Sequence, residues 1–265
     1  MKYFLLLLAL LIVAGSTIWY LVQPGRDVSS TFSYTTEEVG FEEVSPDETL
    51  GANDRYTLSE LEKWQRPPGP LRVGIQAGHW RNDEVPEELG GLRKNGGGAV
   101  GGGTNERDVV LKIAEQVAAL LKEAGIEADL LPATVPPGYI ADAFVSIHAD
   151  GNIDSSVSGF KIASPRRDYS GRSIYLEESL YKTYEQATGL NRDPSISRRM
   201  SGYYAFNWRR YEHAIHPMTP AVIIETGFLT SPQDRKIIVS QPELSIQGIA
   251  DGIITYLKTG AGSDL

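Results

Sequence analysis

Three short apolar runs that end in a histidine or a glutamate predict an α/β domain. They are Leu71-Arg72-Val73-Gly74-Ile75-Gln76-Ala77-Gly78-His79, Phe144-Val145-Ser146-Ile147-His148-Ala149-Asp150 and Ala221-Val222-Ile223-Ile224-Glu225. Each is too short for a long helix and reads as a buried strand that delivers its last side chain to the carboxyl end of a sheet. Open α/β sheets carry their chemistry there. A fourth residue, Glu106, opens the helix that follows the Gly-rich loop after His79. The order His79, Glu106, His148, Glu225 suits a three-ligand zinc site with a general base beside it.

The chain has 265 residues and is 41% hydrophobic, which is enough for one catalytic domain with appendages. Cysteine is absent. That excludes thiolate metal sites, thiol nucleophiles and disulfides, so His and carboxylate must hold any metal. The formal charge of −9 is concentrated in residues 23–70. No basic stripe of the kind that displaces counterions from a phosphate backbone is present, and a nucleic-acid partner is not expected.

Taken in order, residues 1–22 come first. Tyr3 to Val22 is an almost unbroken apolar run preceded by Lys2, and about 20 such residues span a hydrocarbon core. The positive flank predicts a membrane anchor with everything after Val22 outside the cytoplasm. A cleaved signal peptide and a secreted protein are the alternative, because Ala14-Gly15-Ser16 offers small residues for processing. Residues 23–70 follow as an acidic linker, rich in Ser, Thr, Glu and Asp up to about residue 56. Within it Thr57-Leu58-Ser59-Glu60 fits a capping box and predicts a short helix near 58–65, docked on the domain surface. Pro67-Pro68-Gly69-Pro70 stops it, and the catalytic domain is expected over 71–259, with a loose tail at 260–265.

After the first strand, Gly96-Gly97-Gly98-Ala99-Val100-Gly101 formally matches a dinucleotide fingerprint. It does not directly follow a strand, and no acidic ribose ligand closes a second one, so a mobile rim loop is the better reading. Thr104 or Asn105 caps a helix whose Val109, Val110, Ile113, Val117, Leu120 and Leu121 recur at helical spacing and which Gly125 ends. A glutamate in a first helical turn is commonly a capping charge; the position of Glu106 between two strand-terminal histidines argues for a ligand. Ile126–Leu131 forms the next strand. Pro132, Pro136, Pro137 and Gly138 oppose a long helix before Phe144. A strand at Gly159–Ala163 and a helix from Ser170 or Gly171 to about Gly189 follow.

The segment Ser197–His216 is aromatic and basic, which suits a sugar or a peptide carboxylate as well as ordinary packing. His216 is a candidate hydrogen-bond donor to substrate or oxyanion at the site rim, whereas His213 is assigned to structure. Glu225 follows four apolar residues and must be paired, metal-linked or at an open strand end. Ser231-Pro232 starts a short helix, and Pro242 starts a terminal amphipathic one.

At these four residues the chain resembles the zinc-dependent N-acetylmuramoyl-L-alanine amidases, type 3, over about Arg72 to Leu257. Gly78-His79 resembles the first ligand motif of that family, Glu106 its helix-borne carboxylate and Ser146-Ile147-His148-Ala149 its second histidine motif. Glu225, in Ile224-Glu225-Thr226-Gly227-Phe228-Leu229, resembles its catalytic glutamate. The resemblance implies a single α/β domain with a mixed, mainly parallel sheet flanked by helices. It also implies a bound Zn²⁺ and hydrolysis of the lactyl to L-alanine amide of peptidoglycan. The chain departs from the family at Ala77-Gly78-His79-Trp80, where Pro-Gly-His-Gly is usual, and in lacking a Thr-Arg followed by an Asp after the second strand. Two other readings come from different classes: a cell-envelope binding protein that keeps the fold and metal without hydrolysis, and a zinc peptidase acting on peptide stems. An intact Glu225 argues against the first. Asn82, three residues after His79, disfavours a His-x-x-Glu carboxypeptidase.

Overall fold

The computed structural model of the chain describes residues 55–259. The expected anchor, the linker up to residue 54 and the tail lie outside the described residues. Among the described residues, no helix is long and apolar enough to cross a membrane.

A five-stranded sheet organises the domain. Its strands are β1 (Arg72–Ala77), β4 (Glu127–Leu131), β5 (Ala143–Asp150), β6 (Lys161–Ala163) and β7 (Ala221–Phe228), in the order β4-β1-β5-β7-β6. The first four run parallel and the short edge strand β6 is antiparallel. The mixed, mainly parallel α/β sheet implied by the resemblance is what the chain forms. Two residue pairs between β2 (Val100–Gly101) and β3 (Thr104–Asn105) make a separate hairpin.

Side-chain alternation divides each central strand between two faces. Val73, Ile75, Ala77, Val145, Ile147, Val222 and Ile224 are buried against the helices α3 (Glu106–Glu123), α4 (Ser173–Thr188) and α7 (Pro242–Lys258). The opposite face carries Phe144 and Ile223, which are buried with Val85, Leu131, Val135, Tyr204, Phe206 and Ile215 from connecting segments. Covering both faces explains the nearly continuous apolar runs of β5 and β7. Along the second face polarity rises toward the carboxyl ends: Phe144, Ser146, His148 on one strand and Ala221, Ile223, Glu225 beside it.

Local rules fix the helix ends. The Asn105 side chain accepts from the Asp108 amide and starts α3 at Glu106, which places that carboxylate in the first turn. Gly189, at φ 67°, ends α4. Ser231 caps α6 (Pro232–Ile238), with proline at its first position.

Residues 55–70 lie on the domain. Helix α1 (Leu58–Glu62) has the full capping box between Thr57 and Glu60 and buries Leu61. Arg66 makes a two-pronged pair with the buried Asp142, whose Oδ2 also accepts from the Arg72 amide at 2.7 Å. A paired, half-shielded guanidinium of this kind anchors better than an exposed one. The end of the acidic linker is therefore part of the folded unit.

Candidate metal centre

Three elements bring the donors together. His79 leaves β1 in a left-handed conformation, φ 61°, which is uncommon for a residue with a Cβ. His148 lies in β5, and Glu106 opens α3. Glu106 Oε1 lies 2.8 Å from His148 Nδ1, and its Oε2 lies 3.3 Å from His79 Nε2. One donor atom from each of the three falls within 4.8 Å of the others. The two backbone amides of Ala149 and Ala99 donate to Oε1 and Oε2 at 3.1 and 2.9 Å. Burial alone would raise the Glu106 carboxyl, but the hydrogen bonds and charges of His148 and His79 outweigh it and hold the group well below the usual carboxylate range.

Two glycines make this approach fit. A Cβ on Gly78 would stand 2.5 Å from the His148 ring, and one on Gly98, at φ 77°, would stand 2.1 Å from Glu106 Oε2. The glycine run read as a mobile rim thus closes directly on Glu106, because small size and positive φ are needed there for contact. The Gly98→Ala chain is expected to lose about 1–2 kcal/mol from the backbone conformation alone, and more from the collision. Gly91→Ala, with open space at its Cβ, is the control and should melt unchanged or slightly higher. Equal melting of the two variants would contradict this account.

Glu225 stands beside His148 in register on β7, with Lys161 of β6 on its other side. The strand continues past it to Phe228, so it is not at a strand end. Glu225 Oε2 is shut off from solvent and has no hydrogen-bond partner. Burial, then the charges of Glu106 and Asp150, push its carboxyl well above the usual range, with Lys161 offsetting part of the rise. Lys161 Nζ is held by Asp150 at 2.7 Å and Asp193 at 3.0 Å. Burial opposes its charge, but those two partners raise its pKa overall. Thr226 Oγ1 donates to the His148 carbonyl at 2.8 Å and ties β7 to β5 next to the cluster.

The structure brings together His79, Glu106, His148 and Glu225, and it does not bring His216 to them. His216 precedes β7; its amide donates to Tyr139, and its ring packs on Tyr56 and Trp64. This is the end of the sheet where β5 and β7 begin, so His216 is no rim donor. Burial lowers its pKa to about 4. His213 pairs with Glu88 at 2.7 Å, a surface role.

Sequence reasoning missed three neighbours of the cluster. Asn82 Nδ2 donates to the Gly96 carbonyl and lies 3.1 Å from His79 Nδ1. Tyr203 Oη lies 3.4 Å from His148 Nε2. Lys161 could have been found from its charge, which stands inside an otherwise apolar strand.

Two imidazoles and a carboxylate gathered at the carboxyl edge, with no thiolate in the chain, form a donor set suited to zinc. The orphaned Glu225 oxygen beside them is the kind of polar atom such a site leaves for a reacting proton. Fold and cluster together define an α/β domain with a candidate metal site at the carboxyl edge of its sheet. Residues 137–255 match the family Amidase_3, N-acetylmuramoyl-L-alanine amidase. The chain is 28% identical over 205 residues to the N-acetylmuramoyl-L-alanine amidase AmiA of Salmonella typhimurium, covering 60% of this chain and 71% of that protein. The structure of the N-acetylmuramoyl-L-alanine amidase AmiC2 of Nostoc punctiforme matches with a TM-score of 0.50 and 25% identity, over 72% of this chain and 99% of that one. The amidase Ami1 of Mycobacterium abscessus shares the fold, at a TM-score of 0.51 and 20% identity over 71% and 99% of the two chains. The family match over residues 137–255, the AmiA similarity and the AmiC2 structure together support a type 3 N-acetylmuramoyl-L-alanine amidase family for the chain.

Proposed function

We propose that the protein is a zinc-dependent hydrolase of the amide between N-acetylmuramic acid and L-alanine in peptidoglycan, acting in cell-wall remodelling. The observation that carries the reading is the Glu106-bridged histidine pair with Glu225 in register beside it. His79, Glu106 and His148 would hold the ion. Bound there, zinc supplies a Lewis acid that polarises the amide oxygen and brings the pKa of a water to about 7.

The protein's own share is proton handling. Glu225 Oε2, free of partners, accepts a proton from the attacking water as its oxygen adds to the lactyl carbonyl carbon. The same carboxyl then gives that proton to the alanine nitrogen as the carbon–nitrogen bond breaks, which leaves a lactyl carboxylate and a stem peptide with a free amine. Burial raises the Glu225 carboxyl, which suits holding the proton between the two steps, and a cation on the three donors beside it would oppose that rise and favour the ionised form that takes the proton up. Lys161, fixed by Asp150 and Asp193, keeps a positive charge next to the carboxylate form. A peptidoglycan substrate calls for a domain outside the cytoplasm, and the apolar run at Tyr3–Val22 would supply an anchor or a cleaved leader.

Mass spectrometry of peptidoglycan incubated with the purified chain tests the reading. Intact stem peptides beginning at L-alanine, released without a chelator and absent with one, are expected. Cleavage within the stem would identify a peptidase instead, and retention of the chain on undigested sacculi would identify a binding protein.

A further inference from the structure

Behind His148 a buried polar chain has only one consistent direction. Gln76 on β1 is fully buried, and its Nε2 lies 3.2 Å from the Ala133 carbonyl and 2.7 Å from Tyr204 Oη. A carbonyl can only accept, so the amide nitrogen must face Ala133 and Oε1 must face the other way. The Tyr204 hydroxyl proton also goes to Ala133, which leaves Tyr204 Oη to accept from Gln76. Gln76 Oε1 then accepts from Ser146 Oγ at 2.7 Å and from Tyr203 Oη at 2.9 Å. The single proton of Tyr203 is thereby committed to Gln76. What its oxygen turns toward His148 Nε2, 3.4 Å away, is a lone pair. The nitrogen that meets it has to be an N–H, since two lone pairs facing each other in a buried site would repel.

From this we propose that Tyr203 is a positioning residue for the metal site: it keeps the proton of His148 on Nε2 and so makes Nδ1 the atom that binds the cation. Nδ1 is the nitrogen turned toward Glu106, at 2.8 Å; without an ion it carries a proton of its own to that carboxylate, and a cation held between the two would take the place of that proton and leave the one on Nε2. The Tyr203 ring meets the imidazole edge-on, with centroids 5.6 Å apart at 80°, which restrains the ring against flipping. The inference rests on the metal-centre reading above and adds to it which atom of His148 is used and what selects that atom. Groups that orient a metal-binding histidine commonly change metal affinity by about 10–100-fold.

The test uses the whole chain labelled with ¹⁵N at histidine and loaded with ¹¹³Cd²⁺ as the probe ion. The expected result is a cadmium–nitrogen coupling to Nδ1 of His148, with Nε2 still protonated. Tyr203→Phe removes only the hydroxyl and should lower cadmium affinity about 10–100-fold with little change in melting temperature. Coupling to Nε2 of His148 in the unmodified chain would overturn the inference while leaving the metal centre intact. Unchanged affinity in a folded Tyr203→Phe chain would do the same. Absence of coupling to both His79 and His148 would overturn the metal-centre reading itself. The coupling is read on the unmodified protein, so a variant that fails to fold does not block the decision.

Discussion

Glu225→Gln is expected to lower amide turnover by about two to four orders of magnitude while leaving fold and cation content unchanged. Glutamine keeps the shape of the side chain and removes its capacity to accept a proton. Stability should hold, because burial already pushes this carboxyl toward its neutral form and the amide keeps its size. Turnover, elemental analysis and thermal melting on one preparation check the three parts together. A folded, zinc-loaded variant with full activity would remove Glu225 from the mechanism.

The same replacement at Glu106 should have the opposite profile. Glu106 accepts one backbone amide on each oxygen and turns both oxygens toward imidazole nitrogens, where the cation would sit. An amide nitrogen in either position would set a donor against a donor. Zinc content is expected to fall to background, activity with it, and stability by about 3–5 kcal/mol, as when one partner of a buried pair is removed. Elemental analysis and chemical denaturation measure both quantities. Retained zinc in Glu106→Gln would show that the carboxylate is a capping charge after all.

The strands were legible because each is a short apolar run with punctuation at both ends, and the donors were legible because each run ends in a chemically active residue. Their arrangement was not. Nothing in the sequence says that β7 lies between β5 and β6, and it is this order that sets Glu225 next to both His148 and Lys161. His216 was misjudged for a related reason. It is near Glu225 in sequence, but it precedes the strand, and the four steps from Ala221 to Glu225 carry the chain roughly 13 Å along the sheet. The Gly-rich loop has no periodicity to read, and its role depends on a close approach to Glu106 that only three dimensions reveal. Tyr203 sat within a segment noted for its aromatics, yet which of them would reach His148 depended on the path of the loop.

The parallel pairing of β5 with β7 has a kinetic corollary. These strands meet only after the whole of residues 151–220 has been looped out, and β1 must cross to β5 over another long connection. Contacts so distant along the chain form late and slowly, since closure entropy is lost before they yield any gain. Glu225 reaches His148 only when β7 has paired with β5, and Glu106 reaches both imidazoles only when β5 has paired with β1. A chain in which β1 and β5 have not yet paired therefore holds its donors apart, and the assembled three-residue set is a product of folding.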